Sequence, residues 1–361
     1  MHKFCWVLAL LGLNHTLATC QSTSASKKST SSSNRSMLPA YQTEKFPLAG
    51  LPGTADGYPV TIDKGRFFSS TGGGFPIPWG HFLTSGWGGA AIGWGVGNEL
   101  QPTPDSMEIR WFSYTEDQFW EGQFLLPQQR IYALLKQGLW NAEQKKQVPY
   151  LGLSVSVLPT GGVVVWLVGH GNRELIGRYQ AHKVDYDYAR HRPKVDRAAD
   201  VRNTRAALSP EVQREIATGT LSAKKWDEYL RHYRWQLAFS QPLTLTRYGV
   251  SYFSAERTSL PASPDLRAHL QRLLSPTNKA VPKSMMLYVR GAYGRQRLLK
   301  VLPFDEAQTL AAFRTLHAQH PQEPLTLLVD VNEQLDKATL SLRAGTHQLP
   351  LDKTKVQFFD L

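Results

Sequence analysis

Short segments of the chain alternate apolar and polar residues with the period of a β-strand, and longer segments carry an apolar stripe at helical spacing. Residues 107–114 and 118–126 read as two strands that end at Leu126-Pro127. A helix is predicted next, because proline is tolerated at the first helical position. The apolar stripe of this helix consists of Ile131, Leu134, Leu135, Gly138 and Leu139.

Three more strands are predicted after this helix. Residues 151–157 alternate Leu or Val with Gly or Ser, which is the pattern of a strand with one buried face. Residues 163–168 are apolar on both faces and predict a central strand. The turn at 169–172 leads into a strand over 174–180. The elements therefore form a ββαβββ unit.

The same order of elements recurs in the second half of the chain. Residues 284–290 and 298–302 read as strands that end at Leu302-Pro303, a helix with Asp305 near its cap follows, and three alternating segments close the set. A leading strand belongs to each copy, since residues 60–70 resemble residues 245–255.

We therefore expect an α+β fold with two pseudo-repeated domains, 37–181 and 241–361. Each domain is predicted to be an antiparallel sheet with one packed helix. The alternative is that strand–strand–helix units recur by chance.

Residues 182–240 join the two copies, and charged residues are more frequent there than on either side. Ser209-Pro210-Glu211 predicts a capped helix that ends near Gly219, and Ser222 is expected to cap a second helix running through Tyr233. We expect a helical, charged connector. Its basic side chains, interleaved with aspartates, indicate a solvated face, with a salt-sensitive docking surface for an acidic partner as the alternative.

The first twenty residues have the layout of a secretory signal, with a basic start, a short apolar run and small residues before Cys20. The apolar run is shorter than the roughly 20 residues that a membrane-spanning helix needs. Residues 17–20 are similar to a bacterial lipobox, in which the cysteine is acylated and becomes the mature N-terminus. Thr19 departs from that pattern, so ordinary cleavage after Ala18 is the alternative.

Cysteine usage agrees with a lipid anchor, because Cys5 leaves with the signal and Cys20 is then the one remaining thiol. Gln21 after the cysteine, in place of an aspartate, points to the periplasmic face of the outer membrane. Residues 21–36 are rich in Ser and Thr and predict a disordered tether.

The excess of basic over acidic residues indicates which classes of partner the chain could bind. Removing residues 1–20 takes away one lysine and no acid, which leaves 40 basic against 29 acidic side chains and a formal charge of +11. Nucleic acid is the usual inference from such a charge. An exported chain does not meet nucleic acid, so anionic lipid headgroups or an acidic protein are the expected partners.

A catalytic apparatus is not evident in the sequence. It contains no nucleophile elbow, no zinc-binding His-Glu-x-x-His helix and no phosphate loop. Residues 79–94 instead concentrate tryptophans among glycines, a composition typical of interaction loops. The alternative interpretation is that Trp87 and Trp94 fill the hydrophobic core. The sequence therefore predicts a protein that is not an enzyme and has no cofactor or metal.

Several motifs of the first copy, and one that follows in the connector, carry a family resemblance. They are Arg110-Trp111-Phe112-Ser113-Tyr114, the Leu126-Pro127 step, the segments 161–167 and 176–181, and Tyr233-Arg234-Trp235. These motifs resemble the domain-of-unknown-function 2931 proteins of Gram-negative bacteria. The resemblance covers about half of the chain, whereas the second copy is matched by pattern alone.

The resemblance implies an outer-membrane lipoprotein encoded near type VI secretion genes. That setting implies an immunity protein, which binds and neutralises a secreted toxin, plausibly a phospholipase effector. The family supplies no catalytic residues, so the candidate sites are interface residues and the lipidation site Cys20. The interface residues are Trp87, Trp94, Tyr114, Glu116, Asp117, His170 and Asn172.

Two other function classes stay open. One is a non-catalytic envelope scaffold or an adaptor that loads an effector. The other is an enzyme of unfamiliar type, which would require a cleft where two titratable groups of shifted pKa converge. For Glu116 and Asp117, acids of a solvated turn between two strands are the alternative to an interface role.

Overall fold

Alternating segments joined by short turns give this chain a mixed α+β fold in which strands predominate. The computed structural model describes residues 38–92, 99–141, 144–259, 263–291 and 294–361. Within them, Pro39–Leu361 forms one compact unit.

The strands of the first half are β1 (Lys45–Phe46), β2 (Ala49–Thr54), β3 (Val60–Phe68), β4 (Gly74–Pro76), β5 (Phe82–Leu83), β6 (Gln101–Pro102), β7 (Ser106–Ser113), β8 (Gln118–Leu125), β9 (Leu139–Asn141), β10 (Lys146–Val148), β11 (Gly152–Val157), β12 (Gly162–Gly169), β13 (Asn172–Gln180) and β14 (His182–Val184). The strands of the second half are β15 (His232–Phe239), β16 (Thr244–Tyr252), β17 (Arg257–Thr258), β18 (Thr277–Ala280), β19 (Pro282–Arg290), β20 (Gln296–Val301), β21 (Leu325–Val331), β22 (Ala338–Ala344), β23 (His347–Pro350) and β24 (Val356–Asp360).

The helices are α1 (Ala40–Thr43), α2 (Gln128–Gln137), α3 (Tyr188–His191), α4 (Arg197–Ala206), α5 (Pro210–Thr218), α6 (Lys224–Tyr229), α7 (Leu266–Leu274) and α8 (Glu306–Gln319). None of these described helices is long and apolar enough to cross a membrane.

Three sheets contain most of the strands. The largest has nine strands in the order β2-β11-β12-β13-β17-β16-β19-β20-β24. A second sheet has the order β14-β8-β7-β3-β4, with β5 also paired to β3, and a third has the order β18-β15-β21-β22-β23. Two short pairs, β1 with β6 and β9 with β10, complete the set among the described residues.

The nine-stranded sheet contains strands from both halves of the chain. The short strand β17 joins them, because Arg257 pairs with Arg173 of β13 on one side and with Ser251 of β16 on the other. The expectation of a separate, wholly antiparallel sheet in each copy is therefore wrong. The pairs β2·β11 and β15·β21 are also parallel. Alternation in a sequence shows that a strand has a buried face, but it does not identify the neighbour to which the strand hydrogen-bonds.

The central strand predicted at 163–168 is confirmed as β12. It lies between β11 and β13, and both of its faces are buried. Val163, Val165 and Leu167 belong to a core shared with β3, β7 and helix α2. Val164 and Trp166 belong to a second core shared with β16, β19, β21 and helix α8. One strand therefore contributes to both cores.

Strand β11 is buried on both faces, although its sequence predicts one buried face. The polar face is covered by the loop at 86–89. The amide of Gly88 donates to the hydroxyl of Ser156 at 3.1 Å, and that hydroxyl donates to the carbonyl of Gly86 at 3.0 Å. Ser154 also donates to the carbonyl of Gly89. Serine is suited to this position because it satisfies the polar backbone of a loop packed against it.

The predicted connector contains the helices α3 to α6, with β14 and β15 at its ends. Ser209 caps α5 as expected, since its hydroxyl accepts from the amide of Val212, and α5 ends at Gly219 in the left-handed conformation. The helix predicted to run through Tyr233 is shorter. It ends at Tyr229, and Tyr233 lies in β15 with its side chain in the second core.

We predict that Trp166→Phe lowers the free energy of unfolding by about 2 kcal/mol. The indole of Trp166 is fully buried, donates to the carbonyl of Ser254 at 3.0 Å and meets the ring of Trp87 edge-to-face at 4.8 Å. Urea denaturation measures the change. The matched control Leu125→Ala, at a side chain that is 83% exposed, is expected to change stability by less than about 0.5 kcal/mol. Equal effects of the two substitutions would contradict the assigned role of β12.

Candidate functional site

A cleft of about 830 Å³ opens beside β3, between the chain that follows β4 and the segment from α3 to α4. Its walls are both aromatic and basic, so we call it the aromatic–basic cleft. The residues that define it are Asp63, Trp79, Phe82, Arg190, His191 and Arg192, with Thr61, Asp200 and Thr204 also lining it.

Asp63 lies at the floor of this cleft, at a point where the register of β3 against β7 shifts. Such an irregularity redirects a side chain out of the normal alternation. The Asp63 carboxylate accepts from Arg110 Nε at 2.7 Å and lies 2.9 Å from His191 Nδ1. Burial acts to raise the pKa of Asp63, but hydrogen bonds from His191 and Arg110 outweigh it and lower the pKa below its ordinary value. Asp63 is therefore a fixed negative charge.

His191 connects this carboxylate to an aromatic cluster. Its side chain is 3% exposed, and its ring lies close to those of Phe112, Phe119 and Tyr188. Among the described residues, Nε2 has no hydrogen-bond partner. The contact with the Asp63 carboxylate therefore holds the imidazole ring of His191 in one orientation.

A second acid of the cleft is neutralised in the same way. Arg192 Nη1 lies 2.7 Å from Asp200 Oδ2 and donates to the hydroxyl of Tyr114 at 3.0 Å. The hydroxyl of Tyr188 donates to the same oxygen of Asp200. Both carboxylates that line the cleft are therefore paired inside the protein, and Arg190 is left as an exposed cation on the wall.

The rim of the cleft exposes two large aromatic side chains. Trp79 is 46% exposed and Phe82 is 51% exposed. Phe82 is held from below, since its ring meets Tyr114 edge-to-face at 5.2 Å. Exposed rings held by packing, beside arginines, are the composition of hot spots in protein interfaces. The cleft thus presents two exposed rings and one exposed cation, Arg190, at its opening.

Three of the predicted interface residues lie together in and beside the β7–β8 turn. Tyr114 is fully buried beneath the cleft and hydrogen-bonds to its lining residues Thr61 and Arg192. Asp117 lies 2.7 Å from Arg197 Nε. The carboxylate of Glu116 accepts from Ser113 at 2.9 Å and from the amide of Thr160 at 3.0 Å, and burial raises its pKa.

The other predicted residues lie elsewhere and contact different neighbours. Trp87 is half-buried, donates from Nε1 to the carbonyl of Phe253 at 2.9 Å and packs on Trp166. His170 lies exposed in the β12–β13 turn. Asn172, which follows it, donates to the hydroxyl of Ser259 at 2.7 Å. The structure therefore places the described members at three locations, and Trp94 and Cys20 lie outside the described residues.

Sequence reasoning missed most of the residues that build the cleft. Trp79 falls in the glycine-rich stretch singled out for its tryptophans, and Arg190 and Arg192 fall in the basic stretch of the connector. These two signals pointed to the cleft without showing that the stretches meet. Asp63 carried no signal, because a shift in strand register is not visible in the sequence.

The chain is similar to one known family. A family model described as "Protein of unknown function (DUF2931)" matches residues 38–222. No curated protein and no solved structure matches the chain. Every residue that lines the aromatic–basic cleft falls within the matched range.

We predict that Asp63→Asn destabilises the protein by about 1–3 kcal/mol at neutral pH, because it removes the carboxylate that pairs with both Arg110 and His191 and leaves Arg110 with only the more distant Glu121, at 3.5 Å. A carboxylate with a lowered folded-state pKa stabilises the fold above its unfolded-state pKa of about 4. That contribution is lost as the pH falls through the lowered pKa. Denaturation at a series of pH values should show the difference between variant and wild type shrinking below about pH 4. Asp185→Asn, at an exposed aspartate, is the control, and a difference independent of pH would contradict the pairing.

Proposed function

The chain belongs to the DUF2931 family of proteins of unknown function, and we propose that it acts by binding a protein partner through the aromatic–basic cleft. The observation that carries the proposal is the composition of that cleft. Its two carboxylates are paired internally, while two aromatic rings and an arginine remain exposed at its opening. Such a surface favours an acidic partner that brings apolar groups to the rings.

We propose that this partner is a secreted toxin, plausibly a phospholipase effector, and that the protein is an immunity protein and not an enzyme. Neutralisation requires a preformed complementary surface and no chemistry of its own. The packing beneath the cleft supports a preformed surface, because Tyr114, Arg192 and Asp200 form a connected network there. A rigid surface loses little conformational freedom when it binds.

The net positive charge supports the choice of an acidic partner. Long-range attraction between opposite charges raises the rate at which partners meet. Of the exposed bases on the α3–α4 segment, Arg190 lines the cleft and Lys194 lies between its lining residues Pro193 and Val195. They make this wall basic and the expected association sensitive to salt.

We also propose that the chain is an internal duplication, with domains at 37–181 and 241–361 and a connector at 182–240. Matching pairings support it. In the first half β3, β7, β8 and β14 are consecutive neighbours, as β16, β19, β20 and β24 are in the second. A parallel pair then leads into a three-stranded meander in each half, β2-β11-β12-β13 and β15-β21-β22-β23. The helices α2 and α8 occupy the same place in the order.

Export and lipid attachment at Cys20 complete the proposal. They rest on the signal-like residues 1–20 and on the Ser- and Thr-rich residues 21–36. An anchor at the periplasmic face of the outer membrane holds the binding protein where a delivered toxin arrives. Attachment also raises its local concentration there without any new contact.

We predict that Trp79→Ala combined with Phe82→Ala weakens the partner complex at least about a hundredfold, as loss of two hot-spot rings does. The partner is first isolated by affinity capture from envelope extracts of the native host. It qualifies as the toxin if its periplasmic expression kills cells and this protein rescues them. The double variant is then expected to lose both binding and rescue.

Phe359→Ala is the matched control, because Phe359 is an aromatic side chain that is 41% exposed and lies on β24, outside the cleft. It should bind and rescue like the wild type. Retained rescue by the double variant would refute the cleft as the binding surface. Capture of a structural envelope component that is not toxic would instead favour a scaffold or adaptor.

We predict that Cys20→Ser moves the protein from the membrane fraction to the soluble periplasmic fraction. The reason is that lipid attachment requires the cysteine thiol, and a serine hydroxyl at this position is not acylated. Cell fractionation and metabolic labelling with a fatty acid measure the change, and the melting temperature of the purified protein should be unaltered. Unchanged fractionation would show that Cys20 is not the anchor.

A further inference from the structure

A second, smaller cleft lies where the two halves of the chain meet at β17, and we call it the junction cleft. Its volume is about 250 Å³, below the roughly 300–1,000 Å³ of sites for drug-sized ligands. Its cationic lining residues are Arg130, Arg173, His232, Arg257, Arg272 and Lys279. The first two come from α2 and β13, and the others come from β15, β17, α7 and β18.

Two carboxylates, Glu174 and Glu256, are the acids among the residues that line this cleft. Glu256 is already used, because its Oε2 lies 2.8 Å from His232 Nε2 and accepts from Ser254 at 2.8 Å. Glu174 lies 3.7 Å from Arg272 Nη2. The cleft therefore contains five lysine and arginine side chains but only one carboxylate, that of Glu174, which is not paired with a histidine.

The arginines of the junction cleft are held in place by neutral acceptors. Arg130 donates to the carbonyls of Leu175 and Ile176. Arg173 is half-buried and donates to the carbonyl of Ala255 at 3.2 Å. Neither forms an ion pair within the part of the chain that the structure describes. Arg130 is exposed, but among the described residues the Arg173 guanidinium is partly removed from water without a counter-charge, which is costly, and a bound anion would offset that cost.

Shifted pKa values show the same imbalance. Burial, with Arg257 next to it, lowers the pKa of Arg173. Burial, with a further contribution from Arg272, lowers the pKa of Lys279 to about 7. Burial also raises the pKa of Glu174. Arg173 and Lys279 lack water and sufficient opposite charge, whereas for Glu174 the effect of burial outweighs the attraction of the nearby arginines.

Convergence of such groups is also what an enzyme of unfamiliar type requires, but the position of Lys279 favours binding. Its ammonium donates to Thr277 Oγ1 at 2.8 Å and to the carbonyls of Arg272 and Ser275, both at 3.1 Å, and also to the carbonyl of Trp235. These acceptors engage its hydrogens and hold it in place. Although burial lowers its pKa to about 7, the Lys279 nitrogen is engaged by these acceptors, so we assign it neither a nucleophilic role nor a contact with the ligand.

We propose that the junction cleft binds a small phosphate-type oxyanion through Arg173, Arg257 and Arg272. Guanidinium groups match the oxygens of such an anion in pairs. Arg257 is exposed, so the anion reaches the cleft from solvent. Because the three arginines lie on β13, β17 and α7, the bound anion links the two halves of the chain.

The test is a titration of inorganic phosphate into the purified protein by calorimetry at constant ionic strength. Arg257→Gln and Arg272→Gln should each weaken phosphate binding about tenfold, which corresponds to one charge-assisted contact. Arg267→Gln is the matched control, since Arg267 is exposed on α7 and does not line the cleft. It should bind like the wild type. The proposal would be overturned if the wild type did not bind phosphate, or if all variants bound phosphate as tightly as the wild type.

A second readout separates binding from damage to the fold. Phosphate should raise the melting temperature of the wild type and of Arg267→Gln, because a ligand of the folded state stabilises it. It should not raise that of the double variant Arg257→Gln/Arg272→Gln. Without phosphate, the double variant should melt close to the wild type, since relief of repulsion among cations offsets the loss of the contact between Arg272 and Glu174 at 3.7 Å. A phosphate shift retained by the double variant would contradict the site.

The oxyanion has two possible sources, free phosphate and a lipid headgroup. Flotation with phosphatidylcholine vesicles, with and without phosphatidic acid, distinguishes them. Flotation that depends on phosphatidic acid and is lost in the double variant assigns the lipid phosphate. Calorimetric binding of inorganic phosphate without such flotation assigns the free anion.

Discussion

Burial of both faces of β12 is the constraint on which the rest of the structure depends. Alternate side chains of this strand enter two different cores, so neither half of the chain can pack without it. Trp166 sits in the second core although its strand belongs to the first half. At the edge of a sheet, a strand as apolar as β12 would expose hydrophobic side chains to water and favour aggregation. Here sheets and helices cover both of its faces. The shared nine-stranded sheet is the geometric result.

The glycine-rich chain after β4 connects this core to the candidate binding surface. Its distal part packs inward, where Trp87 meets Trp166 and Gly88 approaches Ala255 so closely that an added Cβ would lie 2.1 Å from the alanine Cβ. Its proximal part turns outward and exposes Trp79 and Phe82 at the cleft. The segment therefore has one tryptophan, Trp87, packed against the core and another, Trp79, exposed at the cleft, which are the two roles that its composition suggested. Packing of the inner part limits the motion of the outer part.

The two clefts differ in how their charges are compensated. In the aromatic–basic cleft, Asp63 and Asp200 each have a basic partner within hydrogen-bonding distance. In the junction cleft, Arg130 and Arg173 have only carbonyl acceptors among the described residues. Paired charges leave a stable surface for recognition by another protein, whereas a half-buried cation without a counter-charge, as at Arg173, favours a small anion. The contrast supports our proposals that one cleft binds a protein and the other a small anion.

Local periodicity and capping chemistry determined much of the secondary structure of this protein. The double-faced apolar run at 163–168, the Ser209 cap of α5 and the Asp305 cap of α8 depend on neighbours within a few residues, so the sequence alone was sufficient. Tertiary structure decided which strands pair, that the loop at 86–89 buries the polar face of β11, and that Asp63 meets His191 across 128 residues of chain. Those outcomes depend on long-range packing and on a register shift, which no local pattern encodes.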